Sequence, residues 1–121
     1  SFGQKRDFEG NIFYPKQTYK VYGTSIDYLI ETNIVKVPNF IKIDVDGLEH
    51  KILMGGKALL KNTKLRSLLV EINEGYKEQF DNLIEIMKTN NFVIKEKVKA
   101  DIADEKKFKN LYNYIFVRNE N

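Results

Sequence analysis

Apolar positions along the chain recur with two periods, and the changes between them mark its elements. The run NFIKIDV, residues 39–45, is β-branched and aromatic and too short for anything but a strand. From Leu48 the spacing lengthens: Leu48, Ile52, Leu53, Leu59 and Leu60 follow helical intervals, with Gly55 and Gly56 in the middle. Two glycines inside a helix cost about 1 kcal/mol each relative to alanine, so they imply a close approach by a neighbouring element or a kink. LRSLLVEIN, residues 65–73, reads as a second buried strand. Tyr76, Phe80, Leu83, Ile84 and Met87 then share one helical face, and Asn90 or Asn91 supplies the stop. Strands are predicted over 92–98 and 111–117, separated by a charged loop over 99–110.

Upstream, TSIDYLIE (24–31) predicts a short helix capped by Thr24 or Ser25, with Ile26, Leu29 and Ile30 on its apolar face and Asp27 local to it. Residues 1–23 are rich in aromatics and turn formers, with one period-two stretch, TYKVYG, of strand character. They read as an irregular arm or hairpin, leaving 24–121 as the main domain.

From residue 39 the order is β-α-β-α-β-β. Strands alternating with helices of this length imply an α/β fold with βαβ crossovers and a parallel sheet. The last two strands, with no helix between them, form an antiparallel pair. Right-handed crossovers between neighbouring strands place both helices on one face. A parallel sheet is normally covered on both faces. The chain therefore reads as half of a doubly wound domain, its other face covered by the arm, another chain or a missing segment.

Composition narrows the class. With 42% hydrophobic and 12% aromatic residues in 121, the chain has the makings of one packed core. Its net charge of +3 is interspersed, as in Lys95–Glu96–Lys97, without the basic stripe of a nucleic-acid binder. There is no cysteine, which excludes disulfides and thiolate zinc sites, and one histidine, His50, which cannot build a His-rich centre. His50 is expected on the solvent side of its helix. No run approaches the roughly 20 apolar residues of a membrane span, and nothing resembles a signal peptide. A cytoplasmic location is the default. Ser1 in place of an initiator methionine suggests a piece of something longer or an expression scar.

The candidate chemistry lies in FIKIDVDGLEHKIL, where Asp44, Asp46 and Glu49 cluster as a strand passes into a helix. Open α/β sheets bind ligands beyond the carboxyl ends of their strands. Asp46 and Glu49 have the spacing of a capping box, with Gly47 easing the turn. Asp44-Val45-Asp46 is also a D-x-D, a pattern by which nucleotide-sugar transferases hold a divalent cation. An EF-hand loop fails, because the ligand series stops after DVDG.

The wider stretch FIKIDVDGLEHKILMGGKALL, preceded by GTSIDYLI and followed by SLLVEIN, resembles the FkbM-like family of S-adenosylmethionine-dependent methyltransferases. That family shows a T-L-D-x-L segment, then K-I-D-V-E-G-A-E opening a helix with Leu-x-Gly, then a strand ending near a Glu. Here Asp46 stands where the family has Glu and Leu48 where it has a small residue. Gly55 occupies the Leu-x-Gly position and Glu71 ends the next strand. The likeness covers roughly residues 20–98, with the last strand agreeing in pattern only.

The resemblance implies the C-terminal part of a class I, Rossmann-like methyltransferase sheet, strands four to seven of seven, the last antiparallel. It implies S-adenosylmethionine as cofactor, held mostly by residues upstream of this chain, which contains no G-x-G. The activity implied is methyl transfer to a hydroxyl of a sugar-like or polyketide-like acceptor. Asp44 becomes the carboxylate facing acceptor or cofactor; Asp46 or Glu49 assists as base or caps the helix. Glu71 and Asn73 line the same crevice. No metal, nucleic acid or membrane is implied. The bare sheet suggests a homo-oligomer or an N-terminal covering segment. The alternatives are a self-associating interaction module and a D-x-D metal-dependent transferase.

Overall fold

The computed structural model describes residues 20–101 and 109–120. Most of the expected arm lies outside the described residues; 20–23, its described part, form neither helix nor strand. The elements are α1 (Ile26–Glu31), β1 (Phe40–Ile43), α2 (Glu49–Met54), α3 (Lys57–Lys61), β2 (Ser67–Asn73), α4 (Lys77–Thr89), β3 (Phe92–Lys99) and β4 (Leu111–Arg118).

The strands form one mixed sheet in the order β1-β2-β4-β3. β1 and β2 are parallel, and β4 runs antiparallel to both β2 and β3. The sequence pattern made β3 the neighbour of β2; β4 takes that place instead. The reason is apolar content. β4 offers Tyr114 and Phe116 to the core, whereas β3 carries Lys95, Lys97 and Lys99 and is exposed along nearly all its length. Lysines suit an edge, where they discourage further pairing.

Alternation sends Leu68, Val70 and Ile72 of β2 inward, beside Ile43 of β1 and Tyr114 and Phe116 of β4. These pack with Leu53, Leu59, Leu60, Leu83 and Met87 of the helices into one cluster. The other sheet face carries exposed Phe40, Val93 and Val98 and half-buried Leu69, Ile115 and Val117.

The helix predicted from Leu48 is two helices, broken at Gly55–Gly56, and the close approach is real as well. A Cβ on Gly55 would lie 3.2 Å from the Ser25 Cβ, and one on Gly56 3.0 Å from the Ile26 Cγ2. Only glycines let α1 sit this low. Ser25 caps α1 through the Tyr28 N–H at 3.1 Å. Asp27 is not local to α1, as its sequence position suggested. Its carboxylate accepts from the Ala58 and Leu59 N–H groups at 2.9 and 3.0 Å, capping α3 across 31 residues of chain.

The far end of α3 is held too. The Arg118 guanidinium donates to the Leu60 and Asn62 carbonyls, both at 3.0 Å. A five-residue helix has no stability of its own. This one is pinned by an acid at its amino end and a base at its carboxyl end, each matching the helix dipole.

Candidate functional site at the carboxyl ends of β1 and β2

The parallel register pairs Ile43 with Val70. One residue further, Asp44 follows the end of β1 and Glu71 lies alongside it, still within β2. Hydrogen bonding toward Asp44 is the first cause raising Glu71; burial and the charges of Asp44 and Asp46 add to it, and Lys42 opposes. Glu71 is pushed up to about 7. Lys42 reaches Asp44 only loosely, at 3.8 Å.

The capping box does not form. α2 starts at Glu49, its N-cap residue is Leu48, and no side chain caps it. Gly47, at φ 85°, turns the chain in a left-handed step between Asp46 and the helix. Asp46 is therefore left exposed. Glu49 instead folds under the turn, only 7% exposed, with the Gly47 N–H donating to its Oε1 at 3.3 Å. Burial pushes its carboxyl up to about 6, against the lowering effect of its own amide and those of Gly47 and Val45. The geometry gives Glu49 the job of holding the loop that presents Asp44 and Asp46.

Asn73 lies two residues beyond Glu71 on the same strand face. Its Oδ1 accepts from the Gly75 N–H at 2.9 Å, closing the turn into α4. His50 is not the solvent-facing residue expected. It is half-buried, and its Nδ1 is enclosed without a hydrogen-bond partner among the described residues. Burial first, then the Lys51 charge, lowers its pKa, against the pull of Glu78. Among the described residues no group of three or more His, Cys, Asp or Glu is placed to hold a metal ion.

Two polar features escaped the sequence reading. Asn113 of β4 stands opposite Glu71 in the antiparallel register. On the other face, the Tyr114 hydroxyl donates to Glu74, and Lys97 sits 2.6 Å from the same carboxylate and 4.3 Å from the Tyr112 ring centroid. Burial, then the bond to Glu74, pushes Tyr114 up to about 12, so it stays a phenol. Both features depend on β4 lying between β2 and β3. No local sequence signal announces that placement. An apolar gap between α1, β1 and α2, lined by Ile26, Ile41, Ile43, Ile52 and Leu53, presents no polar side chain.

The methyltransferase FkbM domain matches this chain over residues 2–94, well over half of it. The matched span contains the whole acidic turn and Glu71, and ends within β3. Neither the curated proteins nor the solved structures give a match.

Proposed function

The chain belongs to the methyltransferase FkbM domain family, and from that premise we propose that it forms the acceptor side of an S-adenosylmethionine-dependent O-methyltransferase. The observation that carries this reading is the Asp44–Glu71 carboxyl pair at the carboxyl ends of two parallel strands. β1 to β4 correspond in this reading to strands four to seven of a class I sheet. The mixed α/β sheet, with β4 antiparallel between β2 and β3, is consistent with it.

S-adenosylmethionine supplies an electrophilic methyl on a positively charged sulfur and departs as a neutral thioether. The acids at this end of the sheet suit a cation. The sequence has no G-x-G turn for the rest of that molecule, and β1 has no strand on its outer side among the described residues. The cradle is therefore assigned to chain beyond these residues or to a second copy. What this chain does is receive the acceptor. An alcohol forms its new O–C bond easily only if its proton leaves, and Asp44, with Glu71 beside it, takes that proton and becomes neutral. The acceptor is a small molecule with a hydroxyl, sugar-like or polyketide-like by family resemblance. No helix among the described residues is long and apolar enough to cross a membrane.

The test is radiolabelled methyl transfer from S-adenosylmethionine to a panel of alcohols, by wild type and Asp44→Asn. A loss of about 100-fold, with unchanged circular dichroism, is expected for removing a general base. Equal rates would remove Asp44 from the chemistry.

A further inference from the structure

The open face of β4 reads Leu111, Asn113, Ile115, Val117, so Asn113 interrupts an otherwise apolar stripe. Asparagine is disfavoured inside strands, and no intrinsic preference explains it here. Tyr114 and Phe116 point into the core, and alternation turns Asn113 to the opposite face. Its cross-strand neighbours are Glu71 on β2 and Val98 on β3. Valine cannot hydrogen-bond, which leaves the Asp44–Glu71 pair as the polar company on this row. Asn113 is half-buried, and its side-chain amide has no hydrogen-bond partner among the described residues. A half-buried amide without a side-chain partner among the described residues, one strand from the Asp44 and Glu71 carboxyls, is equipped to meet a ligand.

We propose that Asn113 is a specificity-determining residue whose amide reads a second oxygen on the acceptor, beside the hydroxyl held by Asp44 and Glu71. This rests on the acceptor-side reading above and adds to it a requirement on the acceptor. Directly opposed side chains in an antiparallel pair start about 5 Å apart at Cβ. One small molecule can therefore touch both. The carboxyl pair takes the proton of one hydroxyl. The Asn113 amide donates an N–H to a neighbouring oxygen and, where that oxygen carries a hydrogen, accepts it. A simple alcohol satisfies the first partner and leaves the second unpaired, which is the condition under which polar sites discriminate.

The experiment needs neither cofactor nor turnover. The 15N-labelled chain is titrated with trans-1,2-cyclohexanediol and, separately, with cyclohexanol. Readouts are the Asn113 side-chain NH2 signals, assigned by their absence in Asn113→Leu, and the backbone amides of Asp44 and Glu71. The diol is expected to shift all three sets and to bind about 10-fold more tightly than the mono-alcohol. In Asn113→Leu, or in Asn113→Thr should the first variant not fold, that preference falls to about one. Equal affinity for the two alcohols in the wild type, or a preference that survives both substitutions, overturns the assignment. Such a result leaves the methyl-transfer reading standing. Absence of methyl transfer with the diol preference intact and dependent on Asn113 would do the reverse.

Discussion

At the amino end of β2, the Arg118 guanidinium is surrounded by acceptors; at its carboxyl end, several acids have hardly a base among them. Arg118 donates to the carbonyls of Leu65, Leu60 and Asn62 at 3.0 Å and Asn90 at 3.2 Å, and lies 4.3 Å from the Phe92 ring centroid. Asp44, Asp46, Glu49 and Glu71 share one loose contact to Lys42 at 3.8 Å. The first end is closed: its charge is used up in holding α3, α4 and β2 together. The second holds Glu49 and Glu71 above their ordinary range instead of neutralising them. Uncompensated, perturbed groups mark functional sites more often than structural ones, because a structure selected only for stability would have placed a lysine there. The two ends lie on the same strands, so the difference reflects which residues extend past them.

The largest expected effect tests the closed end. Arg118→Ala strands four carbonyls and the Phe92 face together, and a loss of about 3 kcal/mol in urea unfolding is expected. Arg118→Lys should recover less than half of it, since one ammonium cannot span acceptors on three elements as a planar fork does. Both losses should be independent of pH between 5 and 8. A lysine variant as stable as the wild type would make this end ordinary.

The open end should behave oppositely. Glu71 at about 7 and Glu49 at about 6 both stand above the ordinary 4.5. Between pH 4.5 and 7 the folded chain therefore binds more protons than the unfolded one, and its stability falls as pH rises through that interval. His50, with its pKa lowered, works the other way below pH 6.5: the folded state resists its protonation, so its contribution is lost as pH falls. Two carboxyls outweigh one imidazole, so stability should fall overall between about pH 5 and 7. Glu71→Gln should add about 1 kcal/mol at pH 8, a figure discounted because half-buried Glu71 keeps some contact with water, and much less at pH 5. A destabilised Glu71→Gln at pH 8 would mean that the carboxyl pair is structural after all.

The contrast between the ends also explains what the sequence could show. β1, β2 and α4 were legible because Ile43, Leu68, Val70, Ile72, Leu83 and Met87 repeat with the period of their element, and one core enforces that period. The acidic turn was legible because it sits where a strand period gives way to a helix period. The order of the strands was not, since local pattern says nothing of which strand lies beside which. Asn113, Lys97 and Arg118 acquire meaning only from partners 42, 23 and up to 58 residues away in sequence. The nearest-neighbour assumption placed β3 beside β2 and hid all three.

Two aspartates carry the same lesson at the smallest scale. Asp46 has the spacing of a cap and caps nothing; Asp27 looked local and caps α3 across the fold. Asp27→Ala should cost about 1–2 kcal/mol, the usual loss for a used cap. Asp46→Ala should change stability by less than about 0.5 kcal/mol at pH 6, as for other exposed residues. Its sign at pH 8 is predictable as well. The Asp46 charge raises both Glu49 and Glu71, so removing it relieves two strained carboxylates and the variant should be the more stable one. A cap would give the opposite sign, because capping is worth most when the carboxylate is ionised. Urea unfolding of the two variants side by side at pH 6 and pH 8 separates the cases by direction as well as by size. A loss of 1 kcal/mol for Asp46→Ala at pH 8 would restore the capping box and leave Asp44 and Glu71 alone at the open end.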